Sequence, residues 1–169
     1  LDLIIVRKIG HPINPEYAIG AVGENSVPVV NEAEVGRLSE TEFVALVEGE
    51  RREIARRRAA YGVRRMVSLD GKVAIIVDDG IATGLTMLAA IREIKRHQPK
   101  RVVVAVPVIP SDTYAKLQAE ADEVIALDVP EDFAGAVGAY YRDFPQVTDR
   151  EVIALLKGGP LKQKTSASA

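Results

Sequence analysis

The sequence contains no cysteine, and this absence removes several kinds of chemistry at once. Disulfide bonds, metal sites built from thiolates and catalysis by a cysteine nucleophile are all excluded. Long hydrophobic runs are absent as well, because no apolar stretch reaches the roughly 18 residues that a membrane-spanning helix needs. The start of the sequence shows no signal-peptide pattern. We therefore expect a cytoplasmic protein without a membrane partner.

An excess of charge of one sign is also missing. The sequence has 22 lysine and arginine residues against 24 aspartate and glutamate residues, which gives a formal net charge of −2 at pH 7. Such a balance gives no argument for binding nucleic acid. The length of 169 residues and the hydrophobic content of 47% are typical of one globular domain. We assign that domain to residues 1–160 and expect a disordered tail at residues 161–169.

What the sequence does contain is one stretch around which the rest of the chain is organised. Residues 73–77 are apolar and mostly β-branched, which is typical of a short strand covered on both faces. Asp78 and Asp79 follow where that strand stops, and residues 80–84 are small enough for a tight bend. From Leu85 onward, apolar residues recur at helical spacing. The stretch therefore predicts a strand, an acidic pair, a loop and a helix.

A loop of this kind is suited to binding an anion. Free N–H groups at a helix start, with the helix dipole behind them, bind phosphate, and Thr83 and Thr86 add hydroxyl donors. The two carboxylates would repel the phosphate itself, but they suit neutral hydroxyls or a divalent cation, and a sugar phosphate offers both groups. An ordinary strand-to-helix connection is the alternative. A dinucleotide-binding loop fits worse, because residues 80–84 lack the G-x-G-x-x-G spacing.

Residues 77–86, which read Val-Asp-Asp-Gly-Ile-Ala-Thr-Gly-Leu-Thr, resemble the phosphoribosyl-pyrophosphate (PRPP) motif of type I phosphoribosyltransferases. Together with Val-Arg-Lys-x-Gly near the start, the motif is most similar to a bacterial branch of that family. The resemblance implies an α/β fold, a doubly wound and mostly parallel sheet with helices on both faces. It also implies a small β hood at residues 17–35, where short strands around residues 23–26 predict a hairpin.

The same resemblance assigns roles to the residues of the motif. In type I enzymes the two acids hold the ribose 2′- and 3′-hydroxyls, a role that falls here to Asp78 and Asp79. The loop binds the 5′-phosphate of the ligand. That role falls to Gly80, Ala82, Thr83, Gly84, Leu85 and Thr86.

Three further groups of residues carry expectations outside this motif. Arg7 and Lys8 follow residues 3–6, which read as a buried strand, and the family has a similar Arg-Lys pair near the pyrophosphate. One or two arginines of residues 51–58 could also reach a pyrophosphate, although most charges there fit pairing along a solvated helix. Phe133 is the candidate for stacking on the nucleobase, because the loop after the last strand does so in type I enzymes. The alternatives are a solvated pair for Arg7 and Lys8 and a core anchor for Phe133.

One part of the family pattern is not found in the sequence. Type I enzymes carry an earlier strand that ends in a pyrophosphate-binding loop, often Pro-Arg-Gly-Gly-like, and this element should precede Leu1. We therefore expect an N-terminal strand to be missing, either because the sequence is a piece or because another chain supplies it. Without it, one edge of the strand predicted at residues 3–6 would be unpaired.

The resemblance implies transfer of the 5-phosphoribosyl group from PRPP to a small nitrogen nucleophile, such as a nucleobase, with release of pyrophosphate. Mg²⁺ would be held through PRPP near Asp78 and Asp79 rather than by direct ligation, and a homodimer is expected. Ala82 stands where hypoxanthine-guanine-type enzymes have an aspartate, which favours other acceptors. One alternative is a non-catalytic protein that senses PRPP or a nucleotide. Another is a fragment whose activity depends on residues outside this sequence.

Overall fold

The computed structural model describes residues 2–15, 17–62 and 68–158, so the tail predicted at residues 161–169 lies outside the described residues. Its strands are β1 (Arg7–Gly10), β2 (Ala18–Val22), β3 (Val29–Val30), β4 (Val73–Val77), β5 (Arg101–Val108) and β6 (Glu123–Asp128). Its helices are α1 (Glu32–Val35), α2 (Glu40–Tyr61), α3 (Leu85–Lys95), α4 (Ser111–Gln118) and α5 (Asp149–Leu156), with a 3₁₀ turn at Val137–Tyr140. In this part of the chain no helix combines the length and apolar character needed to cross a membrane.

The strands form two separate three-stranded sheets, one of them parallel. In the parallel sheet β5 lies in the centre and pairs with β4 and β6. Helix α3 connects β4 to β5, and its Ile91 and Ile94 pack in one core with Ala74, Ile76 and Val104 of the strands. The predicted α/β class, with a parallel sheet flanked by helices, is confirmed.

The second sheet is small and antiparallel, in the order β1-β2-β3. The hairpin predicted around residues 23–26 is confirmed, because Gly20 pairs with Val30 and Ala21 with Val29. Helix α2 packs against this sheet and runs unbroken to Tyr61. Its buried residues share a second core with those of β1 and β2: Val47, Ile54, Ile9, Ile19 and Val22.

The prediction of a strand at residues 3–6 is wrong. The first strand begins at Arg7, and residues 2–6 belong to no strand. The reason is the register of β1 against β2, in which Arg7 lies opposite Val22, the last residue of β2. Because the chain turns after Val22, no described strand runs opposite residues 3–6. Arg7 and Lys8 therefore lie inside β1 instead of after the carboxyl end of a strand.

The expectation that β4 is covered on both faces is also wrong. Ala74 and Ile76 are buried, whereas Val73, Ile75 and Val77 are 50%, 63% and 73% exposed. Their alternation follows from the strand period of two, because α3 covers only the face that carries Ala74 and Ile76. Beside β4 lies an open groove of about 400 Å³, which residues 2–4 also line.

Candidate active site

The structure forms the predicted strand, acidic pair, loop and helix at the carboxyl end of β4. Strand β4 ends at Val77, Asp78 and Asp79 follow, and α3 begins at Leu85. Gly84 precedes the helix with a φ of 78°, a left-handed conformation that side chains other than glycine rarely adopt. A Cβ atom at Gly84 would lie 2.6 Å from the Thr113 methyl carbon, so the loop has space only for glycine here.

Neighbouring elements hold this loop from behind. The Ile81 N–H donates to the Val108 carbonyl at the end of β5 over 2.9 Å. The Thr113 hydroxyl, in the first turn of α4, donates to the Ala82 carbonyl over 3.0 Å. These bonds use the back of the loop, while the first N–H groups of a helix have no partner within it. The front of the loop is therefore suited to an anion.

A cavity of about 210 Å³ joins the loop to Asp78, the first residue of the acidic pair. Most residues predicted to bind the sugar phosphate line this one cavity: Asp78, Gly80, Ala82, Thr83, Gly84 and Thr86. Ile81, Met87 and Val137 complete the lining, whereas Asp79, Leu85 and Phe133 are not part of it. The structure thus brings one acid and the small-residue loop together around a space of ligand size.

The two acids differ in their surroundings. The Asp78 carboxylate accepts a hydrogen bond from the Asp79 N–H over 3.0 Å. Although Asp78 as a residue is exposed, the protein atoms packed around its carboxyl group raise its pKa above the usual value, because burial disfavours the charged form. The hydrogen bond from Asp79 opposes this rise in pKa, and the neighbouring Asp79 charge adds to it. A carboxyl group with a raised pKa beside a cavity is typical of functional sites.

The segment after β6 reaches the same loop. The Tyr141 hydroxyl donates to the Asp79 backbone carbonyl over 2.5 Å. Val137 packs so closely on Gly80 that a Cβ atom there would lie 2.6 Å from a Val137 methyl carbon. Phe133, the residue that the sequence favours, stacks on Tyr140 with ring centroids 5.3 Å apart. Its contact with a nucleobase stays a prediction.

Comparison with known proteins shows which family this arrangement belongs to. A family model described as "Phosphoribosyl transferase domain" matches residues 20–144, which include the acidic pair, the loop and the segment over them. This chain belongs to the phosphoribosyl transferase family. The resemblance found in the sequence is confirmed.

Relatives of this phosphoribosyl transferase chain include longer proteins. Two proteins of Mycobacterium tuberculosis, each named "Putative phosphoribosyl transferase", are 43% identical to it over 160 residues. The match covers 92% of this chain and 36% of each relative, so the chain spans about a third of their length. The crystal structure of TT1426 from Thermus thermophilus aligns with a TM-score of 0.72 at 42% identity, covering 95% of this chain and 77% of that one.

The cationic residues expected near the pyrophosphate, Arg7, Lys8 and the arginines of residues 51–58, differ in whether they line a cavity beside Asp78. The Arg7 Nε atom donates to Glu50 of α2 over 2.8 Å, and neither Arg7 nor Lys8 lines the cavity beside Asp78. A neighbouring cavity of about 330 Å³ is lined by Arg57 together with Asp78 and Thr86. Among the arginines of residues 51–58, Arg57 lines this cavity, although its Nε atom also donates to Glu53 of the same helix over 2.8 Å. Three others likewise pair with carboxylates: Arg51 with Glu48, Arg56 with Glu53 and Arg58 with Glu24.

The donors that could face a metal ion are the two acids of the loop. Across the described residues, no group of three histidine, cysteine, aspartate or glutamate side chains forms a metal-binding cluster. Asp78 lines the cavity, and both acids carry the hard carboxylate oxygens near which a Mg²⁺ ion bound through the phosphates of a ligand would lie.

Proposed function

We propose that this phosphoribosyl transferase domain transfers the 5-phosphoribosyl group of PRPP to a small nitrogen nucleophile and releases pyrophosphate. The observation that carries the proposal is the single cavity that Asp78 shares with Thr83, Gly84 and Thr86. A ribose phosphate has an anion for one part of this lining and hydroxyl groups for the other. Membership of the family supports the same reaction class.

The loop binds the 5′-phosphate in this proposal. N–H groups at the start of α3 point toward the cavity end of the helix, where the helix dipole favours negative charge. The hydroxyl groups of Thr83 and Thr86 add donors from two exposed side chains. Gly84 lets the backbone approach the phosphate closely. The phosphate is thereby fixed before the reaction, which reduces the entropy cost of bringing reactants together.

The acidic pair holds the ribose in this proposal. Asp78 and Asp79 accept hydrogen bonds from the ribose hydroxyls, and their charges stabilise the positive charge that develops on the sugar as the bond to pyrophosphate breaks. Mg²⁺, when bound, supplies positive charge that helps pyrophosphate to leave. In this proposal Arg57, which pairs with Glu53 on α2, adds a cation beside the ligand. Arg7 and Lys8 stay predicted pyrophosphate contacts, and Phe133 stays a predicted base contact.

A second candidate function is the binding of PRPP or a nucleotide without turnover. The ion pair between Arg7 and Glu50 favours it, because a cation expected near the pyrophosphate is bound to a carboxylate of the protein instead. A homodimer and a cytoplasmic location are predictions from the sequence that belong to both candidates.

Calorimetry of the whole chain tests the proposed function. PRPP with Mg²⁺ and ribose 5-phosphate are titrated separately, and PRPP is expected to bind more tightly because it adds pyrophosphate contacts. Pyrophosphate release in the presence of purine and pyrimidine bases then separates the enzyme from the sensor. Equal affinity for the two ligands contradicts a pyrophosphate subsite, and binding of neither contradicts the assignment of the cavity to a sugar phosphate.

A further inference from the structure

The backbone of Asp79 is held at both of its polar atoms. Its N–H donates to the Asp78 carboxylate over 3.0 Å, and its carbonyl accepts from the Tyr141 hydroxyl over 2.5 Å. Tyr141 lies 62 residues further along the chain, so this second bond joins two distant segments. Because the two bonds flank the Asp79 side chain, they limit rotation of the backbone that aims its carboxylate.

A second contact from the same segment holds the next residue. Val137 packs on Gly80, and a Cβ atom at Gly80 would meet Val137 at 2.6 Å and Val108 at 2.9 Å. Val137 also lines the cavity that contains Asp78. The carbonyl of Asp79 and the Cα atom of Gly80 belong to one peptide unit, so the segment fixes the position of that unit.

Tyr141 is itself held before any ligand binds. Its ring lies against Phe144, with centroids 5.1 Å apart, and its N–H donates to the Gly138 carbonyl over 3.2 Å. Phe144 in turn packs on Gly138, where a Cβ atom would lie 3.1 Å away. The hydroxyl group therefore reaches Asp79 from a segment whose own residues pack on one another.

We infer that Tyr141 is a positioning residue that orients the acidic pair toward the ribose hydroxyls. The inference rests on the proposed function. It states that Tyr141 contributes to the affinity for the ribose part of the ligand and not to the affinity for its phosphate. The phosphate is bound by the start of α3, which Tyr141 does not touch through its hydroxyl. The two ligand groups should therefore respond differently when this hydroxyl is removed.

The matched pair of variants is Tyr141→Phe and Tyr140→Phe. Each removes one hydroxyl, but that of Tyr140 accepts from the Ala134 N–H inside its own segment and does not reach the acids. Because Tyr141→Phe frees the backbone that aims Asp79, ribose 5-phosphate should bind about threefold to tenfold more weakly, an effect no larger than that of one hydrogen bond. Inorganic phosphate should bind with unchanged affinity, and Tyr140→Phe should change neither ligand. Equal weakening of both ligands by Tyr141→Phe, or of neither, overturns the inference.

A measurement without ligand keeps the inference separate from the proposed function. Backbone ¹⁵N relaxation of the Gly80 amide reports ps–ns motion of the peptide unit that Tyr141 holds. Its order parameter should fall in Tyr141→Phe and stay unchanged in Tyr140→Phe. If the wild-type chain binds neither ligand, the proposed function fails while this measurement still decides the positioning role. An unchanged order parameter in Tyr141→Phe overturns that role.

Discussion

Two carboxyl groups at opposite ends of α3 differ in burial and in the hydrogen bonds that they accept, and these differences separate a binding group from a structural one. Asp78 lies before the helix at an open cavity, with one backbone N–H as donor. Glu93 lies in the last turns of the helix, 3% exposed, and one of its oxygens accepts from the N–H groups of Asn25 and Ser26 over 3.1 and 2.8 Å. The protein itself thus supplies hydrogen-bond donors to the buried Glu93, whereas Asp78 faces an open cavity.

Glu93 joins the two sheets of the molecule. The turn that it binds follows β2, and α3 packs against both β2 and the parallel sheet. Its side chain also fills the space over Gly23, where a Cβ atom would lie 2.7 Å from a Glu93 oxygen. Buried charges persist in proteins when hydrogen bonds satisfy them. Glu93 therefore stabilises the fold, whereas Asp78 keeps acceptor capacity for a ligand.

The largest expected effect is the loss of ligand binding when both acids of the loop are neutralised. Asp78→Asn with Asp79→Asn removes the charges that accept the ribose hydroxyls, and PRPP should bind at least about 100-fold more weakly, since hydrogen bonds to charged groups contribute about 1.5–3 kcal/mol each. Thermal unfolding should change little, because the amide oxygen introduced at position 78 still offers an acceptor to the N–H of residue 79. Calorimetry with PRPP and Mg²⁺ measures the loss.

Asp143→Asn provides the control for the double variant, because it removes an exposed carboxylate outside the cavity. It should leave the PRPP affinity unchanged. Undiminished PRPP affinity in the double variant would contradict the assignment of the acidic pair to the ribose.

The opposite pattern is expected at Glu93. Glu93→Ala removes the acceptor of the buried Ser26 N–H and of the part-buried Asn25 N–H, which should lower the free energy of unfolding by about 2–4 kcal/mol. Glu93→Gln keeps an oxygen acceptor and should recover more than half of that loss. Chemical denaturation followed by circular dichroism measures both variants. Wild-type stability of Glu93→Ala would show that the carboxylate is not a structural link.

The contrast between Asp78 and Glu93 also shows what the sequence can and cannot predict. The order of strand, acids, loop and helix around Asp78 follows from local periodicity and residue size, and the structure confirms it. Glu93 lies among charged residues between Ile91 and Ile94, a pattern typical of the solvated face of a helix. Its buried partner Ser26 lies 67 residues away in the chain. Spacing along one helix carries no information about such a partner.

The same limit explains why other expectations differ from the structure. Residues 3–6 have the composition of a strand, but strand formation needs a partner opposite them, and β2 ends where β1 begins its pairing. The cluster of aromatic residues after β6 is visible in the sequence, and the family resemblance favours Phe133 among them. Which aromatic residue reaches the acids depends on the 3₁₀ turn at Val137–Tyr140, which places Tyr141 against Asp79.

A smaller effect is expected at the residue where α3 begins, because Gly84 serves both structure and binding. Gly84→Ala forces a side chain into a left-handed backbone and against Thr113, which should cost about 1–3 kcal/mol of stability. Binding of inorganic phosphate should also weaken, since the loop must shift. Thr113→Ser removes the methyl carbon that an alanine at residue 84 would meet. The double variant should regain part of the stability, and failure to regain any would assign the cost to the backbone alone.

The smallest expected effect is the pH dependence of stability at Asp78. Because its pKa is raised in the folded protein, the folded state holds the proton more tightly than the unfolded state. The resulting stabilisation is fully present below the unfolded pKa and is lost as the pH rises through the folded pKa. Asp78→Asn, which cannot ionise, should therefore gain stability relative to the wild type between acid and neutral pH. Denaturation midpoints of the two proteins, measured across that window, should diverge in this direction. A difference that stays constant with pH would show that the Asp78 carboxyl group titrates like that of an exposed acid.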